Sequence, residues 1–338
     1  MSGPVLARRG FLAATGALLL SACGTGEGTG EGTGSGTPAA APSSAPAAGA
    51  WTFTDDRGKK IDLPAAPSRV VAQVGAAAAL WDFGVRPVAV FGPHKLKDGA
   101  KDPQVGNVDI GQVVGLGNAW DEFNVEQYIG LRPELLVTGM YDADTLWYVP
   151  ERSKETIEQV APTAGIKLTG RSATAIIGRY EELATSLKAE MAGVAEAKAR
   201  MEAAGKELAR FKDLKVLVIS AGPDGMWVAN PPHHPDLTHA AGLGLNVVTP
   251  DKVDEAGFFQ SLSWENADTY DADVILHDTR TQALKPEEML KKPTFAGLPA
   301  VKAGQLYAWR AEAPFSYQSY AGVLEELVAN LGKASKLP

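Results

Sequence analysis

The chain has 338 residues, 45% of them hydrophobic, with a formal net charge of −8 and a single cysteine. That length fits two ordinary domains or one large α/β unit, and the apolar fraction excludes disorder along the whole chain. With 40 acidic residues against 32 basic ones, a general nucleic-acid binder is excluded, and one cysteine makes neither an internal disulfide nor a thiolate metal cage.

Residues 1–22 carry no acidic side chain and open on Arg8-Arg9-Gly10-Phe11-Leu12, followed by an Ala/Leu-rich run to Ala22. The run is too short for a membrane span, which needs about 20 residues, and has the size of a signal-peptide core. The paired arginines followed by Phe-Leu resemble a twin-arginine export signal. Leu20-Ser21-Ala22-Cys23 resembles a lipobox, so Cys23 is expected to be lipidated and to become the mature N-terminus. Residues 23–50 then read as a flexible linker. Their Gly-Thr-Gly-Glu repeats and scattered Ser, Ala and Pro bury too little surface to offset ordering entropy. As a coil it spans roughly 25–30 Å.

From Trp51 onward, short apolar runs read as buried parallel strands at 69–74, 87–91, 134–138, 216–220, 274–277 and 305–309. Helical patterns alternate with them, which predicts an α/β fold. Two lobes follow, each a mainly parallel sheet with flanking helices: 51–190 and 213–338. Between them, residues 175–212 are rich in Ala, Glu, Lys and Arg and free of proline. Gly193 marks a joint there, and 191–212 reads as a long spanning helix of about 30 Å. An internal echo supports related halves. Asn124-Val125-Glu126-Gln127 lies ahead of Glu134–Val137 as Ser263-Trp264-Glu265-Asn266 lies ahead of Asp273–Leu276, with eight residues from each Glu to the acidic residue that opens the strand. Each copy predicts a capped helix start, a short helix and a buried strand.

These stretches, together with Pro67–Val71, Gly84–Val88, Lys215–Gly244 and Leu298–Tyr307, resemble the substrate-binding proteins of ABC importers for ferric siderophores, haem and cobalamin. The resemblance covers nearly all of 51–338. It implies two α/β lobes joined by a rigid helix, a ligand in the cleft between them, and little opening or closing. It also implies that one surface glutamate on each lobe, Glu126 and Glu265, docks on arginines of the membrane permease. Both carboxylates also suit a helix start on electrostatic grounds alone. The expected protein is not an enzyme. It is a monomer without cofactor, held by its lipid on the extracellular face of the cytoplasmic membrane.

Ligands of open α/β sheets bind at loops beyond the carboxyl ends of strands. Those segments carry Trp120, Tyr141, Trp147, Tyr148, Arg171, Trp227, Trp309, Arg310, Phe315 and Tyr317. Singly, each ring also reads as core packing; as a set they read as a pocket for a bulky amphipathic ligand. A ferric catecholate, with its high negative charge, calls for a dense basic cluster, whereas the loop arginines here are sparse: Arg171, Arg280 and Arg310. The expectation is a ferric hydroxamate such as a ferrioxamine, with Arg310 or Arg171 donating to oxygens around the iron and no protein–metal bond. The alternatives are haem, with Tyr148, Tyr317 or His277 as axial ligand, or cobalamin. A Zn/Mn importer component built on His233-His234-Pro235-Asp236 and His239 comes next. Last is a secreted enzyme, for which Ser220-Ala221-Gly222 lacks the glycine before a nucleophile elbow.

Overall fold

The computed structural model describes residues 49–338 apart from 143. The export signal, Cys23 and all but the last two residues of the linker lie outside the described residues.

The first lobe opens with an antiparallel hairpin, β1 (Trp51–Thr54) and β2 (Lys60–Leu63). Strand β3 (Val70–Gln73) runs straight into helix α1 (Val74–Asp82), where the Gln73 side chain accepts the free N–H groups of Gly75 and Ala76. That bond offsets donors a helix start cannot satisfy internally. There follow β4 (Ala89–Phe91), β5 (Val114–Gly115), α2 (Val125–Leu131), β6 (Leu135–Met140), α3 (Glu151–Val160), β7 (Thr163–Lys167) and α4 (Ala173–Ser186). The sheet order is β5-β4-β3-β6-β7, parallel throughout. Strands β3, β4 and β6 are buried along their whole length, which is why they read as unbroken apolar runs.

Gly193, at φ 75°, opens α5 (Val194–Leu208), and one 3-10 turn at Ala209–Phe211 tightens its end. Glycine enters this left-handed conformation without steric cost. The regular helix is therefore about 22 Å long, shorter than the sequence reading of 191–212.

The second lobe contains β8 (Lys215–Gly222), β9 (Gly225–Ala229), α6 (Pro235–Gly242), β10 (Asn246–Val247), β11 (Phe259–Ser263) and β12 (Val274–Asp278). Three short helical pieces, α7 (Pro286–Met289), α8 (Pro293–Gly297) and α9 (Pro299–Lys302), each start on a proline, the residue whose missing N–H costs nothing there. Strand β13 (Leu306–Trp309) and helix α10 (Tyr317–Leu331) complete the lobe. Its sheet order is β11-β9-β8-β12-β13, with β10 along the start of β8. β9 runs against both β8 and β11, so β11 points the same way as β8, β12 and β13.

Two apolar clusters cover the outer faces of the sheets, one around Phe91, Tyr128, Leu136 and Ile157, the other around Ile219, Met226, Trp264 and Phe295. The third is continuous between the lobes and joins α1, α4, α5, α6 and α10 through Leu80, Ile177, Tyr180, Met201, Leu237 and Leu324. Polar ties reinforce it: Ser316 and Ser319 donate to Asp82, and the Tyr317 hydroxyl donates to Glu181 at 2.9 Å. No helix among the described residues is long and apolar enough to cross a membrane.

Candidate functional site

The site grows from the carboxyl ends of strands in both lobes. Beyond β6 the chain turns through Tyr141 to Trp147 and Tyr148. The Trp147 N–H donates to the Gly139 carbonyl at 3.0 Å, and Thr138 Oγ1 donates to the Trp147 carbonyl at 2.8 Å, so the loop is pinned back onto its own strand. Tyr148 holds φ at 61°, a left-handed conformation that costs a residue with a Cβ roughly 1–2 kcal/mol. The rings brace one another: Trp120 lies edge to face 4.8 Å from Trp147 and 5.0 Å from Tyr148, and Tyr141 lies tilted 4.9 Å from Trp147. Trp120 stays half exposed at the mouth.

The second lobe continues this wall. Tyr141 meets Phe258 at 6.5 Å; Phe258 meets the rings of His233 and His234 at 5.5 and 5.7 Å; His234 meets Trp309 at 5.2 Å. His234 Nε2 lies 3.2 Å from the Phe258 carbonyl, and burial pushes its pKa down to about 4, so the ring is neutral at physiological pH. The Trp309 N–H donates to Asp236 at 2.6 Å, and burial raises the Asp236 carboxyl to about 6. His233 and His234 thus serve as faces of an aromatic wall. Among the described residues no three His, Cys, Asp or Glu side chains gather as metal ligands.

Charge enters through Arg280, two residues past β12. Asp278, whose side chain is 1% exposed, accepts from the Ser220 hydroxyl at 2.8 Å and from Arg280 Nε and Nη2 at 2.9 and 2.7 Å. Glu312, on the loop after β13, accepts from Arg280 Nη1 at 2.7 Å. Burial raises the phenol pKa values of Tyr141 and Tyr148, and the field of Glu312 adds to it.

Of the remaining expected ligand residues, Trp309 joins the wall through His234, and the others lie outside it. Arg171 is tied to Asp56 at 2.7 Å and Arg310 to Glu326 at 3.0 Å. Trp227 stands within β9 rather than in a loop, its ring against Gly222, where a Cβ would sit 2.8 Å from it. Trp309 is the buried last residue of β13. Phe315 is buried and stacks on Tyr320 at 5.5 Å, and Tyr317 opens α10 with its ring on Phe83 at 6.0 Å. Sequence reading gave no site role to Phe258 or Glu312 and counted Arg280 only among sparse loop arginines. The available signal was the position of Asp278-Thr279-Arg280 at the end of a buried strand.

Glu126 and Glu265 are both exposed, near the carboxyl edges of their sheets. In the first copy of the echo, Asn124 caps α2 by accepting from the Gln127 N–H at 2.9 Å. The second copy departs from the expected capped helix. Trp264–Asn266 form one 3-10 turn, because the buried Trp264 indole donates to the carbonyls of Gly222 and Pro223. The Ser263 hydroxyl is engaged by Asn266 and by Glu265, whose carboxyl it holds below the usual range.

Comparison with known proteins agrees with this geometry. The periplasmic binding protein family matches residues 72–313. No curated protein matches. DesE, a ferric-siderophore receptor protein from Streptomyces coelicolor, is 40% identical, with 85% of this chain and 100% of that one covered at a TM-score of 0.80. The siderophore periplasmic binding protein from the fuscachelin gene cluster of Thermobifida fusca is 22% identical, with 80% and 98% covered and a TM-score of 0.58. SirA of Staphylococcus aureus, solved with staphyloferrin B, is 19% identical, with 85% and 99% covered and a TM-score of 0.59. The two-lobed α/β architecture, the cleft built at its strand ends and these matches place the chain in the periplasmic binding protein family.

Proposed function

We propose that the protein captures a ferric siderophore, a hydroxamate such as a ferrioxamine, outside the cytoplasmic membrane and delivers it to an ABC importer. The observation that carries the hydroxamate reading is the composition of the cleft. Four mutually braced rings form one wall, and the arginine past the end of β12 is already neutralised by two carboxylates. Such a wall suits a bulky, weakly charged chelate and not the high negative charge of a ferric catecholate. The 40% identity to a protein described as a ferric-siderophore receptor supports a ferric siderophore as the class of ligand.

Arg280 takes the donor role first expected of Arg171 or Arg310. Three of its five N–H groups are spent on Asp278 and Glu312, leaving two for oxygens around the iron. The chelator supplies every ligand to the metal. Lipidation at Cys23 anchors the chain. Glu126 and Glu265 register the two lobes on the permease.

Quenching of intrinsic tryptophan fluorescence by ferrioxamines, ferric catecholates, haem and cobalamin tests the ligand. Ferrioxamines are expected to bind tightest, and equal affinity for catecholates overturns the hydroxamate preference. Reversing both Glu126 and Glu265 to lysine is expected to abolish uptake with ligand affinity unchanged. A matching loss of affinity sinks the docking role.

A further inference from the structure

A cavity of about 350 Å³, lined by Arg280 and Glu312 among others, lies between the first lobe's 102–104 segment and the second lobe's 310–314 loop and α10. Its charges do not balance. Arg310 is paired with Glu326 at 3.0 Å, which leaves that couple neutral. Arg280 is a single cation between two carboxylates, Asp278 and Glu312. The buried Asp102 lines the same cavity. The two carboxylates around Arg280 also differ. Asp278 is enclosed and takes several hydrogen bonds, whereas the Glu312 side chain is 29% exposed and, among the described residues, accepts from Arg280 through Oε1 alone. A carboxylate offers about four acceptor positions, so Glu312 keeps capacity for a second donor. Around this surplus charge the walls are apolar, formed by Ala313, Pro314 and Val323.

We propose that this cavity is a subsite for the cationic end of the siderophore, a primary ammonium on a methylene chain, with Glu312 as its acceptor. The proposal rests on the hydroxamate reading above and deepens it. The excess of carboxylates attracts a cation and repels a carboxylate-ended ligand; the apolar walls take the methylene stem; and the partly open Glu312 supplies a charge-assisted hydrogen bond. The iron chelate itself stays on the aromatic wall, so the subsite sets preference among chelates of the same core.

The test uses ferrioxamine B, which ends in an ammonium, and its N-acetyl derivative, which has the same iron core and no charge on the tail. Dissociation constants are read by tryptophan quenching on the wild type and on Glu312→Gln, which keeps an oxygen for Arg280. The wild type is expected to favour the ammonium form roughly fivefold. In Glu312→Gln the two ligands come within about twofold of each other. Equal affinities in the wild type, or a preference that survives Glu312→Gln, overturns the subsite while leaving the hydroxamate reading intact. Failure of both ligands to bind the wild type overturns the hydroxamate reading and the subsite with it. Should Glu312→Gln lose its fold by circular dichroism, added salt decides on the wild type alone. The preference shrinks if Glu312 is the acceptor, and a salt-independent preference overturns it.

Discussion

The two lobes use the same layers to different ends. In the first, every sheet strand is parallel and the carboxyl edge delivers rings, Tyr141, Trp147 and Tyr148 with Trp120 beside them. In the second, β9 runs against its neighbours β8 and β11 and interrupts the pattern, and the segment between β9 and β11 returns Phe258, His233 and His234 to the cleft. The charges come from the same lobe, from the ends of β12 and β13. A wall of rings tolerates many shapes of ligand; a fixed ion pair discriminates by charge. On the proposed function, the ligand is held by contact with rings from both lobes and checked by charge from the second alone.

The sharpest way to break that division is Asp278→Asn. It leaves Arg280 with a weakened partner in a buried network that also holds Ser220, and is expected to cost about 3 kcal/mol of stability. Urea denaturation checks it, and a loss below about 1 kcal/mol would mean that the pair behaves as a surface ion pair. Next is Trp147→Ala, which opens the ring wall at its centre. Binding is expected to weaken by about 2 kcal/mol, roughly thirtyfold, for charged and neutral hydroxamates alike. A Trp147→Ala variant that discriminated by ligand charge would show that the lobes do not divide the task.

The smallest effect is in the pH dependence of stability. His234 titrates near 4 when folded against an ordinary 6.5. Between those values the unfolded chain holds a proton that the folded one lacks, so His234 makes stability rise with pH across that window. Asp236, raised from 3.8 to about 6, does the reverse: the folded chain holds the extra proton, and stability falls as pH rises through the same range. His234→Gln and Asp236→Asn should therefore tilt the profile of urea midpoints in opposite directions relative to wild type. Tilts of the same sign would contradict the burial of one of them.

The fold was legible because parallel strands covered on both faces leave apolar runs, and all six runs read from the sequence became strands. The joint at Gly193 was legible for a local reason, a glycine inside a helical pattern. Four of the ten side chains read as ligand contacts, Trp120, Tyr141, Trp147 and Tyr148, form one cluster, because the last three share one strand-end loop. Arg280, Glu312 and Phe258 were not legible, since Phe258 reaches Tyr141 and Arg280 reaches Glu312 from far along the chain and only the tertiary fold brings them together. Arg171 looked free because its partner Asp56 lies 115 residues away. Pairing of this kind leaves no local mark in sequence.

Tyr148 carries a consequence for how such a site is kept. Its left-handed backbone is a standing cost that glycine or asparagine would remove. Selection for folding alone, blind to ligand, therefore drifts away from tyrosine at this position. On the proposed function, that cost is offset by the contact the ring makes with the ligand, so folding and binding pull in opposite directions at residue 148.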